Sequence, residues 1–582
     1  MRFSRILTTA VASAAAVAGF AGSATAQTAV SGDIVAGTSA TWCDDEAEMY
    51  ILEPIFVFGK LTIEPGCIVR GAPRTVPFDA NDATNGAPGV LIISQGGFLD
   101  AQGTQASPII MTTGAIDADD DGNADRLGNG EAVAWDGVSA YPTNFLDDTP
   151  ATNPLAPLAA DGTQNASLWG GLVILGRAPT NLGLEPITGL GFGAATVEGL
   201  AVPGFSVAGS RYGGYQPHDT SGVIRYVSVR HAGDDISPAN ELNGITLGGV
   251  GDGTIMENIE VYANQDDGIE WFGGTVNVRN AVVVAVGDDS LDIDQGYTGV
   301  VQNALVLQTF FDQNNGAPFG ADGGDAIGEW DGDDCGGLPI ECNIELGQTS
   351  NQLAKNALAQ AAQDSFPNNH PHIYNLTAIG SLDEDGNLPV AVGQTVSLTE
   401  DGLEMDAGFT GLVANTIVAN NPVDACDVDG TAGTHEDDVI RVVASTFVDS
   451  GAPIDACPAG VIASGSAGAP AGAIGNGNAA VAGGSDYEGG SLNFPTASGE
   501  ILVNDNYFFN PQGAAGGKLQ GSKVGAAFDP RPAVATAAET SGGIVPRGNG
   551  LDASATYRGA FPAGQPLWTD GWTVISLGGI TN

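Results

Sequence analysis

Short apolar runs rich in strand-forming residues, broken by glycine, proline and asparagine, recur along the chain. The runs at 50–70 and 90–114 are typical, and the first contains the turn Glu64-Pro65-Gly66. Such runs between turn residues are typical of short strands, and neither run keeps the 3.6-residue period of an amphipathic helix. The pattern therefore predicts an all-β chain of short strands joined by tight turns.

The pattern also repeats at an interval of 22–23 residues. Asn258, Asn280 and Asn303 each open a similar apolar run, and Asn375 and Asn415 open further copies. A unit of this length cannot bury its own apolar face, so successive units must stack, and like residues then form columns with a spacing of about 4.8 Å. Leucine-rich repeats need regular leucines, and propeller blades need roughly 40 residues. The sequence thus predicts a parallel β-helix with asparagine stacked on asparagine at one turn of each coil.

Long insertions rich in Gly, Ala, Asp and Pro interrupt the repeat, and we expect them to form surface loops. They cover residues 117–157, 316–369 and 458–499. A short helix is expected at 353–363. No linker divides the chain, so residues 27–582 are predicted to form a single β-helix domain with a cap at each end. Trp568 and Trp572 are expected to cover the last coil; a sugar-binding platform or an interaction patch is the alternative.

The first 26 residues have the pattern of a secretory signal peptide. Arg2 and Arg5 precede an apolar run at 6–20, and a small-residue cleavage motif ends at Ala26. The apolar run is shorter than the roughly 20 residues that span a bilayer, and no later run is long enough. We therefore expect no transmembrane segment, and export to the periplasm, the outer-membrane surface or the extracellular space.

Six cysteines fall into three pairs of close neighbours, and an even number in an exported chain indicates local disulfides. The expected bridges are Cys43–Cys67, Cys335–Cys342 and Cys426–Cys457. Metal ligation is the alternative, although no Cys-x-x-Cys or Cys/His spacing supports it.

The amino-acid composition limits the classes of binding partner that we expect. The 582 residues include 69 Asp and Glu but only 18 Lys and Arg, for a net charge of −51, and the 86 glycines disfavour long helices. Such a charge makes nucleic acid and anionic lipid poor partners. Cations, polysaccharides and cell-surface proteins remain as the expected partners.

Two acidic motifs lie one repeat apart. The run DDGIE at 266–270 is matched 22 residues later by DDSLD at 288–292. Strand alternation directs four apolar side chains of these motifs into the core, those of Ile269, Trp271, Leu291 and Ile293.

The acidic side chains of these strands should then point outward. Glu270 is expected to stack on Asp292, and Phe272 on Asp294. Two carboxylates about 5 Å apart repel by roughly 3 kcal/mol at an effective dielectric of 20. Either a cation, most suitably calcium, occupies the ladder, or the ladder is a set of solvated turns. The proposed calcium ligands are Asp266, Glu270, Asp292 and Asp294.

A second candidate calcium site lies in the first insertion. Residues 117–125, DADDDGNAD, fit the start of an Asp-x-Asp-x-Asp-Gly calcium loop, although position 12 is Gly128 rather than a bidentate Glu. An acidic surface insertion without an ion is the alternative. The proposed ligands are Asp117, Asp119, Asp121 and Asp125.

Several longer stretches resemble a family of exported bacterial proteins. They are WGGLVILG at 169–176, SGVIRYVSVRHAG at 221–233, DDGIEWFGGTVNVRNAVV at 266–283 and TYRGAFPAGQPLWTDGWT at 556–573. Members of this family are right-handed parallel β-helices with a pectate-lyase-like fold, and most have no assigned function. The resemblance implies the fold and a cell-surface or extracellular location, but no reaction.

A narrower similarity concerns catalysis. Polygalacturonase-type hydrolases carry catalytic aspartates on adjacent coils, and the resemblance places them here at Asp267, Asp288 and Asp289. The Arg-x-Lys motif of those enzymes is absent from this sequence. The leading hypothesis is thus a non-catalytic, calcium-stabilised surface or matrix protein that binds glycans or proteins. The alternatives are a lyase or hydrolase of acidic polysaccharide, and a component of outer-membrane export or nutrient capture.

Overall fold

The structure is a computed structural model of the 582-residue chain. The residues that it describes are 26–77, 86–118, 124–147, 165–181, 195–197, 200, 208–234, 242–308, 326–331, 369–380, 401–406, 409, 411–421, 427–428, 440–449, 479–481, 502–504, 529–532, 545–546 and 550–577. The predicted signal-peptide residues 1–25 and the predicted helix at 353–363 lie outside them.

Strands make up nearly all of the described secondary structure. In chain order they are β1 Ala26–Val30, β2 Ser39–Trp42, β3 Glu46–Ile51, β4 Ile55–Val57, β5 Lys60–Ile63, β6 Ile68–Gly71, β7 Leu91–Ile93, β8 Phe98–Gln102, β9 Ile109–Thr113, β10 Leu172–Leu175, β11 Ala195–Thr196, β12 Arg211–Tyr212, β13 Gly222–Arg230, β14 Ile245–Gly248, β15 Ile255–Tyr262, β16 Ile269–Phe272, β17 Asn277–Val284, β18 Leu291–Asp294, β19 Val300–Leu307, β20 Ala326–Asp331, β21 His372–Ile379, β22 Asp401–Asp406, β23 Gly411–Ala414, β24 Ile417–Asn421, β25 Asp427–Val428, β26 Ile440–Val443, β27 Thr446–Asp449, β28 Ala479–Val481, β29 Leu502–Asn504 and β30 Asp529–Pro532. The helix α1, Val574–Leu577, has four residues, and nowhere in the described part of the chain is a helix long and apolar enough to cross a membrane.

Parallel pairing between successive coils builds three faces. The long strands β13, β15, β17, β19 and β21 each bend at one residue, so their first halves form a first face and their second halves a second face. A separate nine-stranded sheet, in the order β4, β7, β10, β14, β16, β18, β20, β22 and β25, forms the third face. Every pairing within the three faces is parallel, which confirms the predicted parallel β-helix; the antiparallel pairs β11–β12 and β29–β30 lie outside the stack.

The bend between the first and second faces lies at the repeating asparagines. Asn258, Asn280 and Asn303 have φ values of 59°, 59° and 60°, in the left-handed region that asparagine tolerates better than other side-chain-bearing residues. Asn280 Nδ2 donates to Asn258 Oδ1 over 2.9 Å, and Asn303 Nδ2 donates to Asn280 Oδ1 over 3.0 Å. The predicted asparagine column is confirmed, and it forms a corner of the coil.

The inward-facing side chains form one elongated core between the three faces. Ile269 pairs in register with Leu291, and Trp271 with Ile293, and all four are buried in that core as the alternation predicts. Because each coil adds a similar apolar layer, the core grows along the axis with the number of coils rather than in width.

A disulfide joins the turns of the first two coils. Cys43 and Cys67 are bonded, as predicted, with Cα atoms 5.6 Å apart. The bond links β2 and the turn before β6, where the stack begins. The other two expected bridges involve Cys335, Cys342, Cys426 and Cys457, which lie outside the described residues.

The C-terminal segment, residues 551–577, follows the outside of the second face. The ring of Trp572 lies 5.5 Å from that of Tyr226 in β13, and the Val574 N–H donates to Glu260 in β15. Further along the same outward column, the Ala560 N–H donates to Thr377 Oγ1. The sequence interpretation of Trp572 as a cover for the last coil is therefore wrong.

The physical reason lies in the outward column of the second face. Val282 and Leu305 occupy this column between Glu260 and Thr377, and both are fully buried although they point away from the core. Such apolar side chains need a cover, and the C-terminal segment, which contacts Glu260 and Thr377 on either side of them, supplies it.

Candidate metal centre

The outward side chains of the third face change from apolar to acidic along the stack. In register they are Val173, Thr246, Glu270, Asp292, Glu329 and Glu404. The stacking of Glu270 on Asp292, and of Phe272 on Asp294, is as predicted. Because Ile293 pairs with Trp330, Glu329 follows Asp292 in the column.

The turns before these strands carry a second set of carboxylates. The Asp289 N–H donates to Asp267 Oδ1 over 3.0 Å, and the Ala326 N–H donates to Asp289 Oδ1 over 2.5 Å. Each aspartate therefore holds the main chain of the following coil. Gly268 follows Asp267 because a Cβ at this position would lie only 2.4 Å from Val283 Cγ1.

The two sets meet in one acidic cluster. One carboxylate oxygen each from Asp266, Asp267 and Asp288 lie within 4.8 Å of one another, and so do oxygens of Asp267, Glu270 and Asp292. The structure thus brings together three of the four predicted ladder ligands and two of the three aspartates expected from the polygalacturonase resemblance. The fourth ligand, Asp294, lies beside Asp292 and acts on it electrostatically, and Asp289 is bonded to Asp267.

The cluster is mostly shielded from water. Asp267, Glu270 and Asp289 are 8%, 5% and 3% exposed, respectively, whereas Asp266, Asp288 and Asp292 are partly exposed. The cluster therefore combines three buried carboxylates with three that are partly open to solvent. On the same face Phe272 is buried against the ring of Tyr212, 5.8 Å away, so the segment around β12 covers the neighbouring apolar part.

Burial and mutual repulsion perturb these acids. Burial raises the pKa of Asp292, and the carboxylates of Glu270, Asp294 and Glu329 raise it further. Burial likewise raises the pKa of Asp267, helped by Asp266, Asp292 and Asp288. At 4.8 Å and an effective dielectric of 20, each pair of ionised groups costs roughly 3–4 kcal/mol. A cation bound among them removes this cost.

Two buried amide groups lie against the cluster. Asn243 Nδ2 donates to Glu270 Oε2, while Asn243 Oδ1 has no hydrogen-bond partner. Gln308 Nε2 donates to the Asp288 carbonyl oxygen over 3.1 Å, while Gln308 Oε1 likewise has no partner. Both side chains are 1% exposed. Both amides thus present their NH2 groups to the cluster as hydrogen-bond donors.

The candidate calcium loop of the first insertion is described only at its ends. Asp125 Oδ2 accepts a hydrogen bond from the Ala118 N–H over 3.0 Å, and Asp117 is buried. Asp119 and Asp121 lie outside the described residues. Calcium binding by this loop stays a prediction.

Sequence reasoning missed several members of the site. The pattern acid–apolar–acid of 292–294 recurs at 329–331 and 404–406, and this recurrence would have located Glu329 and Glu404. Asn243 opens an Asn-Gly-Ile copy of the Asp-Gly-Ile sequence at 267–269, so the repeat also contained a signal for it.

The family comparison agrees with this architecture. The family model of the pectate-lyase like beta helix domain matches residues 148–327. The match spans β10 to β19, including the acidic turns, and with the parallel stack it confirms the expected pectate-lyase-like β-helix. No curated protein and no solved structure matches the chain.

Proposed function

We propose that this chain is an exported, calcium-binding β-helix protein of the cell surface or extracellular matrix. In this proposal calcium stabilises the stack at the third face, and the long faces bind glycans or protein partners. One observation carries it: carboxylate oxygens of Asp267, Glu270 and Asp292 lie within 4.8 Å of one another at the third face.

The donor set favours calcium among the divalent cations. The two acidic groups offer only carboxylate oxygens as ligands. Calcium takes six to eight oxygen ligands in irregular geometry, whereas zinc prefers nitrogen and sulfur ligands and magnesium demands near-ideal octahedra. Carboxylates fixed on strands of successive coils cannot form an ideal octahedron easily, so they suit calcium, which tolerates irregular geometry.

Export and partner class have separate support. The N-terminal pattern of residues 1–26 is that of a signal peptide, and the Cys43–Cys67 disulfide is typical of oxidising compartments. The net charge of −51 disfavours nucleic acid. A polysaccharide or a cell-surface protein is the partner that remains.

Calcium titration against thermal unfolding of the full chain tests the proposal. Calcium at about 100 times its Kd adds roughly 2.7 kcal/mol to the folded state, so the Tm should rise. Asp292→Asn should reduce the rise, and the exposed turn variant Asp45→Asn should not. An unchanged Tm up to millimolar calcium, or equal shifts in both variants, would contradict calcium binding at this centre.

Polysaccharide cleavage is a second candidate function. The observation that favours it is the raised pKa of Asp267, which burial and neighbouring carboxylates cause, because a carboxyl group that keeps its proton can act as a general acid beside Asp288. Asp289 is buried and bonded to the main chain, which gives it a structural task. Incubation with uronic-acid polysaccharides tests this function; new reducing ends or unsaturated products, lost in Asp288→Ala, would establish it over the non-catalytic role.

A further inference from the structure

Two different segments cover the second face. The C-terminal segment lies over the outward column that contains Glu260. A parallel outward column lies under residues 124–147 of the first insertion, named here the insertion cover, whose Phe145 ring centre is 4.3 Å from the Arg70 guanidinium carbon. The members of this second column are all buried, and they are Tyr50, Arg70, Thr112 and Arg230.

An unbroken series of contacts joins the two covers. Asp147 Oδ2, in the insertion cover, forms an ion pair with Nη1 of Arg230 over 3.6 Å. Arg230 Nε donates to Ser228 Oγ over 2.8 Å, and Ser228 Oγ donates to Glu260 Oε2 over 2.6 Å. The other oxygen of Glu260 accepts the Val574 N–H of the C-terminal segment over 2.7 Å. Three side chains, named here the polar link, thus connect two segments that lie far apart in the sequence.

The residues of the polar link belong to the stack and to neither cover. Ser228 and Arg230 are alternate residues of β13, so both point outward. Ser228 pairs in register with Glu260 of β15. All three side chains are fully buried. The two outward columns therefore lie side by side at β13, and both covers dock on the same buried polar group.

We propose that the insertion cover and the C-terminal segment close the second face as one cooperative unit, coupled through Arg230, Ser228 and Glu260. Loosening of either cover then loosens the other, so the second face is closed by both covers or open at both. This inference goes beyond the proposed function and does not depend on a cation at the third face.

Burial explains why the polar link couples the covers. Arg230 lies between two carboxylates, because it pairs with Asp147 and its charge acts on Glu260. A buried charge that loses a partner is strongly destabilising, and the face relieves this by admitting water beside Arg230. Water that reaches Arg230 also reaches the neighbouring Glu260, where it competes with the Val574 N–H for the carboxylate. Undocking of the insertion cover therefore weakens the docking of the C-terminal segment.

The coupling also operates in the opposite direction. When the C-terminal segment undocks, Glu260 loses the Val574 donor, and water enters beside Ser228. The ion pair between Arg230 and Asp147 is then screened by water and holds the insertion cover less tightly. Hydrogen bonds in a buried network also strengthen one another, so the loss of one end weakens the rest. Because the coupling is a free energy between two docking equilibria, it must act equally in both directions.

Hydrogen–deuterium exchange of the full chain, read by mass spectrometry, tests the coupling. Asp147→Asn removes the charge that pairs with Arg230 but keeps the shape of the side chain. It should speed exchange of the amides at 572–577 by about tenfold, within the range of coupling energies found inside one hydrogen-bond network. Asp136→Asn is the matched control, because Asp136 is an exposed carboxylate of the same insertion cover, and it should leave 572–577 unchanged.

Two outcomes of this experiment would overturn the proposal. One is unchanged exchange at 572–577 in Asp147→Asn, which would show that the covers dock independently. The other is an equal rise in β16 and β18 of the third face, which would indicate global unfolding instead of release of a cover.

Ser228→Ala tests the route, since it removes the hydroxyl that joins Arg230 to Glu260. In this background, the addition of Asp147→Asn should change exchange at 572–577 by less than about twofold, as for independent sites. A tenfold effect would overturn the route through the polar link. Circular dichroism checks the fold; should Ser228→Ala fail to fold, the reciprocal change decides. Glu260→Ala should speed exchange at 135–146, and unchanged exchange there would refute the coupling.

Discussion

Glu260 and Glu270 lie in the same coil, both on outward-facing strand positions and both buried. Their surroundings differ completely. Glu260, on the second face, accepts hydrogen bonds from Ser228 Oγ over 2.6 Å and from the Val574 N–H over 2.7 Å, and the charge of Arg230 acts on it. The protein itself supplies hydrogen-bond donors and a positive charge to this carboxylate.

On the third face, the same coil places its acidic residue next to other acidic residues. Glu270 stacks on Asp292, and Glu329 follows in the next coil, so acid lies beside acid. Stacking places residues of the same type next to one another in successive coils, and here it brings negatively charged residues together. The contrast shows that a β-helix can cover one face with its own C-terminal segment and stack carboxylate on carboxylate on another face.

The largest effect is expected where the protein provides the partners. Glu260→Ala would remove the acceptor of two buried donors and leave Arg230 with less compensating charge, which costs about 3–5 kcal/mol. Urea unfolding should show this loss with and without calcium. Faster proteolysis within residues 551–577 should accompany it, because the bond to Val574 is lost.

Glu260→Gln is the matched control for this change, since its carbonyl oxygen can still accept from the Val574 N–H while its NH2 group can donate to Ser228 Oγ. It should retain most of the stability and the protease resistance of the unaltered protein. A loss below about 1 kcal/mol in Glu260→Ala would mean that this carboxylate contributes little, and the contrast with Glu270 would fail.

An intermediate effect, with a sign that depends on calcium, is expected on the acidic face. In EDTA, Asp292→Asn should stabilise the protein by about 1–2 kcal/mol, a part of the roughly 3–4 kcal/mol repulsion per ionised pair. In calcium the same change should destabilise it, because a ligand is removed. Urea unfolding in both buffers measures this, and the same sign in EDTA and in calcium would refute the view that repulsion is relieved by an ion.

The β-helix and its columns of stacked side chains could be predicted from the sequence, because each residue lies next to the equivalent residue of the adjacent repeat. The 22-residue spacing was enough to pair Glu270 with Asp292 and to align Asn258 with Asn280. Both are contacts between adjacent coils, where distance along the chain reports distance in space.

The segment that covers the second face could not be predicted from the repeat. The bond between Val574 and Glu260 joins residues 314 positions apart, and no repeat relates them. For the same reason the sequence indicated that Glu270 points outward but not that it is buried. Outward-facing positions of a solenoid become buried through segments outside the repeat, so their burial is a tertiary property.

The smallest effect concerns pH and again separates the two faces. Burial raises the pKa of Glu260 above its usual 4.5, against the opposing influence of Arg230 and its hydrogen bonds. Its folded-state pKa is thus above the unfolded one, so its contribution to stability is complete below about pH 4.5 and declines as the pH rises through the raised value.

Glu260→Gln cannot ionise and should lack this decline, so the stability of the variant relative to the unaltered protein should increase with pH above 4.5. His231, whose pKa burial lowers, is present in both proteins and cancels in the difference. Urea unfolding of the two proteins across this range, at constant EDTA, measures it. A difference that is flat with pH, or that falls, would show that the charged form of Glu260 is fully accommodated by Arg230, Ser228 and Val574, and the second face would then be even more self-sufficient than its hydrogen bonds indicate.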